Sequence, residues 1–397
     1  MRFFVVLFLL FALQASAQSD AVLTIKCDAD STQSYSICLP PNYNKTQKYP
    51  VIFLFDPAAR GKMAATLYQK AASEYGFILI ASNNSRNGPM SVSLNAANAL
   101  FADAFKKYSI DEGQVYLGGF SGGARIATTI ALQTSGIAGV IACSAGFAEP
   151  IPKTKLDWTF AGIAGTRDFN YAELQQVVPA LQSAGTLTNL LIFKGPHAWP
   201  PAQVFINALL WSYLQHQKPG TDNTAVQKEL KASSAPYQVK VPADAIAKEL
   251  AYQQKIAETF QLIMMDSPHI KSKSWWRGEL SALNKMLLTR LAADSDYVAR
   301  QKAFINANAS EGFGNYYGAK RYDTAAGLLT ISEVFEPDNP VLFYRHALLA
   351  AGTKDEDNTI YYLEQAVKHG FSNKTQMRNE LSFGFLKNSK RYLALVN

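Results

Sequence analysis

The sequence predicts an α/β protein, a mostly parallel sheet covered on both faces, followed by an all-α region. Three observations carry that expectation. From about residue 21 to residue 217, short apolar runs of strand length alternate with longer helical runs. The first two strand-like runs follow each other as a hairpin would, whereas most later ones are separated by a helix, as parallel neighbours require. From Val241 to the end no strand run stands out, and residues 242–310 carry helical periodicity, as in DAIAKELAYQQKIAETFQLI.

In chain order, the strand-like runs are 22–27, 35–39, 49–55, 77–82, 114–118, 139–144, 158–164 and 189–194. Helix-like runs cover 63–75, 92–107, 122–132, 172–183 and 201–215. Lys218 to Asp222 (KPGTD) reads as the start of a linker over 218–240, where the composition changes. The helical region then runs over 241–397. Its last part, about 306–397, holds a weak internal repeat. Tyr322, Ala325, Leu329 and Pro337-Asp338-Asn339 fit the second half of one tetratricopeptide-like unit, and Ala347, Leu363, Ala366 and Phe371 fit the next. Phe313 departs from the pattern, standing where a small residue is expected. An ordinary helical bundle is the alternative. Repeats of this kind present a concave surface to a protein partner.

Residues 1–17, MRFFVVLFLLFALQASA, combine one Arg, an apolar run and a small-residue ending, which predicts a signal peptide cut before Gln18. A membrane anchor is the alternative, but the apolar run is short for a bilayer, and no stable span is expected elsewhere. The catalytic unit is then 18–217, exported to a periplasm or secreted. The net charge of +7 is modest for 397 residues, and export argues against nucleic acid as a partner. Of three cysteines, Cys27 and Cys38 flank the polar turn DADSTQSYSI and are expected to oxidise across a hairpin outside the cytoplasm, with two buried thiols as the alternative. Cys143 reads as a small buried hydrophobe.

Ser121 lies in Gly119-Phe120-Ser121-Gly122-Gly123, with a strand run before and a helix run after. A G-x-S-x-G in that context is a nucleophile elbow, whose glycines permit a turn that lifts the serine oxygen above the sheet edge. Acyl transfer by serine needs a base to take its proton and a carboxylate to orient that base. Of the five histidines, His197 follows a strand (NLLIFKG) and a Gly-Pro turn; His216, His269, His346 and His369 fall on or between helices. Asp168 follows the strand WTFAGIAG and precedes His197, whereas Asp157 precedes that strand and belongs to the opposite edge.

The oxyanion of the tetrahedral intermediate needs two N–H donors. Gly122, directly after the nucleophile, is one candidate. The loop Asp56-Pro57-Ala58-Ala59-Arg60-Gly61 supplies the other, with Ala58 first and Ala59 second, because Pro57 has no N–H. Asn84 and Arg86, in the loop after run 77–82, should open on the same edge, where they either touch substrate or belong to an ordinary polar turn. Trp199, two residues after His197, either walls the pocket or packs beneath the loop. The scattered His and Cys form no ligand-spaced metal set, and no Gly-rich phosphate loop follows the first strand, so no metal and no nucleotide cofactor is expected.

With these residues in place, the chain resembles the α/β-hydrolase superfamily, and within it secreted esterases of the polyhydroxybutyrate depolymerase and feruloyl esterase type. The resemblance covers residues 21–217. Its carriers are Gly119-Phe120-Ser121-Gly122-Gly123, the Asp168 loop and His197-Ala198-Trp199-Pro200, which is similar to an H-x-W-P ending in that group. It implies a Ser–Asp–His triad, an acyl-enzyme and no cofactor. Asp56-Pro57-Ala58 stands where many members have His-Gly. Only a short loop, Gly146 to Leu156, separates two core strands where many relatives insert a lid, which suits a bulky or polymer-attached ester. The expected activity is hydrolysis of carboxylic esters. Alternatives are a serine peptidase or acyltransferase on the same fold, or a non-catalytic scaffold docking partners through the helical repeats.

Overall fold

The computed structural model describes residues 22–217, 220, 222–265, 273–290 and 292–397. The expected signal peptide, residues 1–17, and His269 lie outside the described residues.

Among the described residues eight strands form one sheet: β1 (Leu23–Lys26), β2 (Ser34–Cys38), β3 (Tyr49–Phe55), β4 (Ile78–Ser82), β5 (Ile110–Phe120), β6 (Ile137–Cys143), β7 (Thr159–Arg167) and β8 (Thr188–Pro196). Their order is β1-β2-β4-β3-β5-β6-β7-β8. The β1–β2 and β2–β4 pairs are antiparallel, and the other pairs are parallel. This is the α/β-hydrolase fold that the sequence predicts. Helices α1 (Gly61–Leu67), α2 (Lys70–Ser73), α3 (Met90–Lys107), α4 (Gly122–Gln133) and α5 (Tyr171–Ser183) lie in the connections, and α6 (Ala202–Leu214) follows β8.

The central strands read as unbroken apolar runs because both faces are covered. In β3 the alternation is visible: Val51, Phe53 and Phe55 join one core with α3, α4 and α5, and Ile52 and Leu54 join the other with α1, α2 and α6. The single helix expected over 63–75 is broken in two. Fully buried Tyr68 lies at the break, where its ring stacks on Phe205 at 4.0 Å and its hydroxyl donates to Pro200 O at 2.8 Å.

The hairpin register overturns the expected Cys27–Cys38 disulfide. Cys27 N donates to Gln33 O, and Ser34 pairs with Lys26. Cys38 therefore lies five positions beyond the residue opposite Cys27, an odd offset that turns its side chain to the other face. Cys27 belongs to the core under α3–α5, and Cys38 to the core under α1, α2 and α6.

After the sheet come α7 (Thr224–Ser234), a 3-10 turn (Ala235–Tyr237), α8 (Ala243–Met265), α9 (Lys273–Leu288), α10 (Ser295–Gly318), α11 (Tyr322–Phe335), α12 (Pro340–Gly352), α13 (Glu356–Lys368), α14 (Lys374–Asn379), a second 3-10 turn (Leu381–Leu386) and α15 (Lys390–Val396). Much of the stretch expected as a linker, 218–240, is thus helical, and Leu230 of α7 is buried in the core beneath α6. Its apolar face, not its polar composition, decided its place. Polar caps mark several later helix starts: Asp294, Asn339, Asp355 and Asn373 each accept a first-turn N–H. Two apolar clusters fill this half, one among α8–α11 and one running from α10 to α15. On the other side α8 contributes Ile246 to the core of the sheet.

Candidate active site

The loops at the carboxyl ends of β3, β4, β5, β7 and β8 build the site, as parallel strands place them on one edge. The turn from β5 into α4 holds Ser121 at φ 54°, ψ −121°, a conformation side chains rarely adopt, with a strain of about 1–3 kcal/mol. Close packing demands the flanking glycines. A Cβ at Gly119 would lie 2.1 Å from Gly123 O, and one at Gly123 would lie 1.9 Å from Phe55 O. Ser121 N donates to Cys143 O at 2.8 Å, which ties the turn to the neighbouring strand.

His197 follows β8 and places Nε2 3.0 Å from Ser121 Oγ. Its Nδ1 lies 2.7 Å from Asp168 Oδ1. An ionised carboxylate only accepts, so Nδ1 carries the proton and Nε2 is left as the acceptor facing the serine. Phe169 stacks on the imidazole at 3.9 Å and Phe120 lies at 4.7 Å, so the ring has little freedom to turn. Asp168 is fully buried after β7. Its Oδ1 also accepts from Asn170 N at 2.9 Å, and Asn170 Nδ2 anchors to Ser144 O at 2.7 Å. The other oxygen, Oδ2, is buried without a hydrogen-bond partner among the described residues. His216, His346 and His369 do not enter this group: Gln114 Nε2 donates to His216 O, and His346 and His369 lie beside Glu333 and Asp338.

The remaining sequence-predicted residues divide. Gly122 opens α4, where first-turn N–H groups have no partner within the helix and suit an anion. Ala58 does not serve as expected: its N–H is committed to Asp56 Oδ1 at 2.8 Å. The second choice, Ala59, donates to Ser85 O at 3.0 Å. The cause is Asp56, fully buried and surrounded by donors. Arg60 Nε reaches Oδ1 at 2.9 Å, and Arg60 Nη2 and Trp199 Nε1 reach Oδ2 at 3.0 and 2.8 Å. Burial pushes the Asp56 carboxyl up, but the bonds from Arg60, Trp199 and Ala58 outweigh it and hold it below its ordinary range.

Trp199 is therefore not a pocket wall. It is buried against Tyr68 and Phe120 and fixes Asp56 from below. Asn84 is not free for substrate either: its Oδ1 accepts from Ser34 N and its Nδ2 donates to Thr32 O, which staples the β1–β2 hairpin to the loop. Arg86 is exposed, bridged to Ala58 through the backbone, and its guanidinium has no hydrogen bond or ion pair with the described residues. Asn87 lies against Gly122 so closely that a Cβ there would fall 1.9 Å from Asn87 Oδ1. Its N–H donates to Pro57 O at 2.8 Å, which locks it to the β3 loop. The Asn-rich loop was the available signal, but nothing in the sequence ranked Asn87 above Asn84.

No family model matches the chain, and the search of curated proteins found no match. Among solved structures it is similar to a thermostable esterase, at 18% identity and TM-score 0.38 over 49% of this chain and 62% of that one. An S-formylglutathione hydrolase from Staphylococcus aureus matches at 14% identity and TM-score 0.41, over 48% and 96% of the two chains. The feruloyl esterase module from Clostridium thermocellum matches at 14% identity and TM-score 0.40, over 50% and 88%. Likeness at this level carries no argument; the strand order described above is by itself that of an α/β-hydrolase fold, followed by a set of helices.

Proposed function

We propose that this protein is a serine hydrolase that cleaves carboxylic esters through an acyl-enzyme. The observation that carries the reading is the unbroken sequence Asp168–His197–Ser121, at 2.7 and 3.0 Å, ending on a serine in a strained turn. His197 Nε2 takes the Ser121 proton as Oγ attacks the ester carbonyl carbon. Asp168 steadies the imidazolium. The oxyanion meets Gly122 N–H and, in place of Ala58, Asn87 Nδ2, with the amide turned so that its NH2 rather than Oδ1 faces Gly122. Collapse of the intermediate breaks the bond to the alcohol, which leaves with the proton from His197. Water, deprotonated by His197, then attacks the acyl carbonyl and returns Ser121. A single oxyanion donor is worth about 10²–10³ in rate.

Arg86, an unpartnered cation beside the Ala58 loop, is the group for a polar or anionic part of the substrate. The loop Gly146 to Leu156 supports an open site for a bulky or polymer-attached ester. The reading includes export through residues 1–17. It also takes the helical pairs α10–α11 and α12–α13 as tetratricopeptide-like units with a surface for a protein partner.

A fluorophosphonate probe on the purified full chain is the test. It should label the wild type at one site and leave Ser121→Ala unlabelled, with p-nitrophenyl acetate hydrolysis lower by about 10⁴ or more in that variant. Labelling of Ser121→Ala at the wild-type rate would refute the nucleophile. A matching amide turned over as fast as the ester would move the reading to a peptidase.

A further inference from the structure

The turn that carries Asp168 is held from outside the sheet. Arg300 of α10 donates Nη1 to Thr166 O at 2.6 Å, across 134 residues of sequence. Gln253 of α8 donates Nε2 to Phe169 O at 3.2 Å, across 84 residues. These two carbonyls bracket Asp168. Arg300 is itself fixed. Its Nε and Nη2 grip Glu249 Oε1 and Oε2 at 2.9 and 2.7 Å, and Gln301 adds a bond to Oε1 at 2.9 Å. Arg300 is 7% exposed and Glu249 2%. The guanidinium lies over the Tyr171 ring at 4.3 Å, at the start of α5. Tyr171 N in turn donates to Asp168 O at 3.0 Å. Phe169, whose carbonyl Gln253 holds, is the residue stacked on His197.

We infer that Arg300, Glu249 and Gln253 are positioning residues, through which α8 and α10 set the Asp168 turn against His197; the inference rests on the Ser121–His197–Asp168 reading above. A buried ion pair is a poor source of stability, because desolvation offsets its attraction. It does fix geometry, and Arg presents its donors as a rigid fork. Here two arms of the fork are locked by Glu249 and the third is aimed at Thr166 O. Burial alone would lower the Arg300 pKa, yet Glu249 raises it above its ordinary value, so the fork stays charged. A misplacement of about 1 Å in a catalytic group costs about 10² in rate. The helical half thus belongs to the catalytic unit, besides any surface it offers elsewhere.

The test uses the full chain. Glu249→Leu/Arg300→Met removes both charges at once and leaves no unpaired one behind. Gln253→Leu removes only the bond to Phe169. For p-nitrophenyl acetate, the paired variant should lose about 10–100-fold in kcat with KM within about twofold, and Gln253→Leu about threefold or more. In an Asp168→Asn background the same substitutions should change kcat by less than about twofold, because the carboxylate they aim is gone. Folded variants with wild-type kcat, or equal losses in both backgrounds, would overturn the inference. If the paired variant does not fold, Gln253→Leu decides in the same two backgrounds. Failure of the underlying reading looks different: Ser121→Ala would then hydrolyse the ester as the wild type does.

Discussion

The turn after β5 and the turn after β7 lie at the same edge of the sheet and are braced in different ways. The serine turn is held by its own short segment and the adjoining strands. Gly119 packs on Gly123, Gly123 packs on Phe55 O, and Ser121 N reaches Cys143 O. The acid turn has local bonds, Asp168 N to Gly165 O and Asn170 N to Asp168 Oδ1, but its two flanking carbonyls depend on Arg300 and Gln253. On the proposed reading, a strained nucleophile tolerates no play and has its support in adjacent residues, whereas an acid that only orients a ring is supported from a distance. On the same reading, that distance makes the Asp168 turn the place where the rest of the chain acts on the site.

The contrast can be broken most severely at the elbow. Gly123→Ala puts a Cβ within 1.9 Å of the Phe55 carbonyl, and backbone has to move. We expect ester hydrolysis to fall by about 10² or more while the helical half keeps its circular-dichroism signal. Wild-type turnover in Gly123→Ala would show that the elbow has slack.

A chain ended at Gln217 sharpens the comparison from the other side. It loses Leu230 from one core and Ile246 from the other, together with the bonds to Thr166 O and Phe169 O. The two apolar side chains alone contribute about 3–6 kcal/mol. The truncated chain should therefore unfold at lower temperature or denaturant, and any folded fraction, counted by probe labelling, should turn over more slowly per site. Full turnover per labelled site would mean that the acid turn supports itself.

The smallest effect belongs to the hairpin. Because Cys27 and Cys38 face opposite cores, dithiothreitol should leave the melting temperature unchanged within about a degree, and a non-reduced digest should contain no Cys27–Cys38 peptide. A cross-linked peptide would require a different register for β1.

Strands β3 to β8 were legible in the sequence because buried parallel strands are continuous apolar runs punctuated by Gly, Pro and polar turns, and β1 and β2 were legible as short strand-like runs on either side of a polar turn. Ser121, His197 and Asp168 were legible for a related reason. Each follows a strand directly, so chain order alone brings them to one edge. The places of Ala58, Asn84 and the cysteine pair were not legible because each assignment needed to know where one hydrogen bond or one side chain points, and the same knowledge decides that Trp199 packs beneath the loop. Asp56 takes the Ala58 N–H and the Trp199 indole, and Ser34 and Thr32 take Asn84. The hairpin was recognised, but its register is fixed by the turn between the strands, and a shift of one residue exchanges the faces.

The sequence by itself determined the α/β alternation, the glycine-framed serine turn and the order of serine, acid and base, since these follow from local periodicity and from residues adjacent in the chain. Only the tertiary structure decided which N–H groups remain for an oxyanion, which faces the cysteines occupy, and that α8 and α10 grip the acid turn. Those outcomes depend on donors and acceptors brought together across as many as 143 residues, as Asp56 and Trp199 are. A buried polar group must be satisfied by whatever partner packing delivers, and packing is a property of the whole chain.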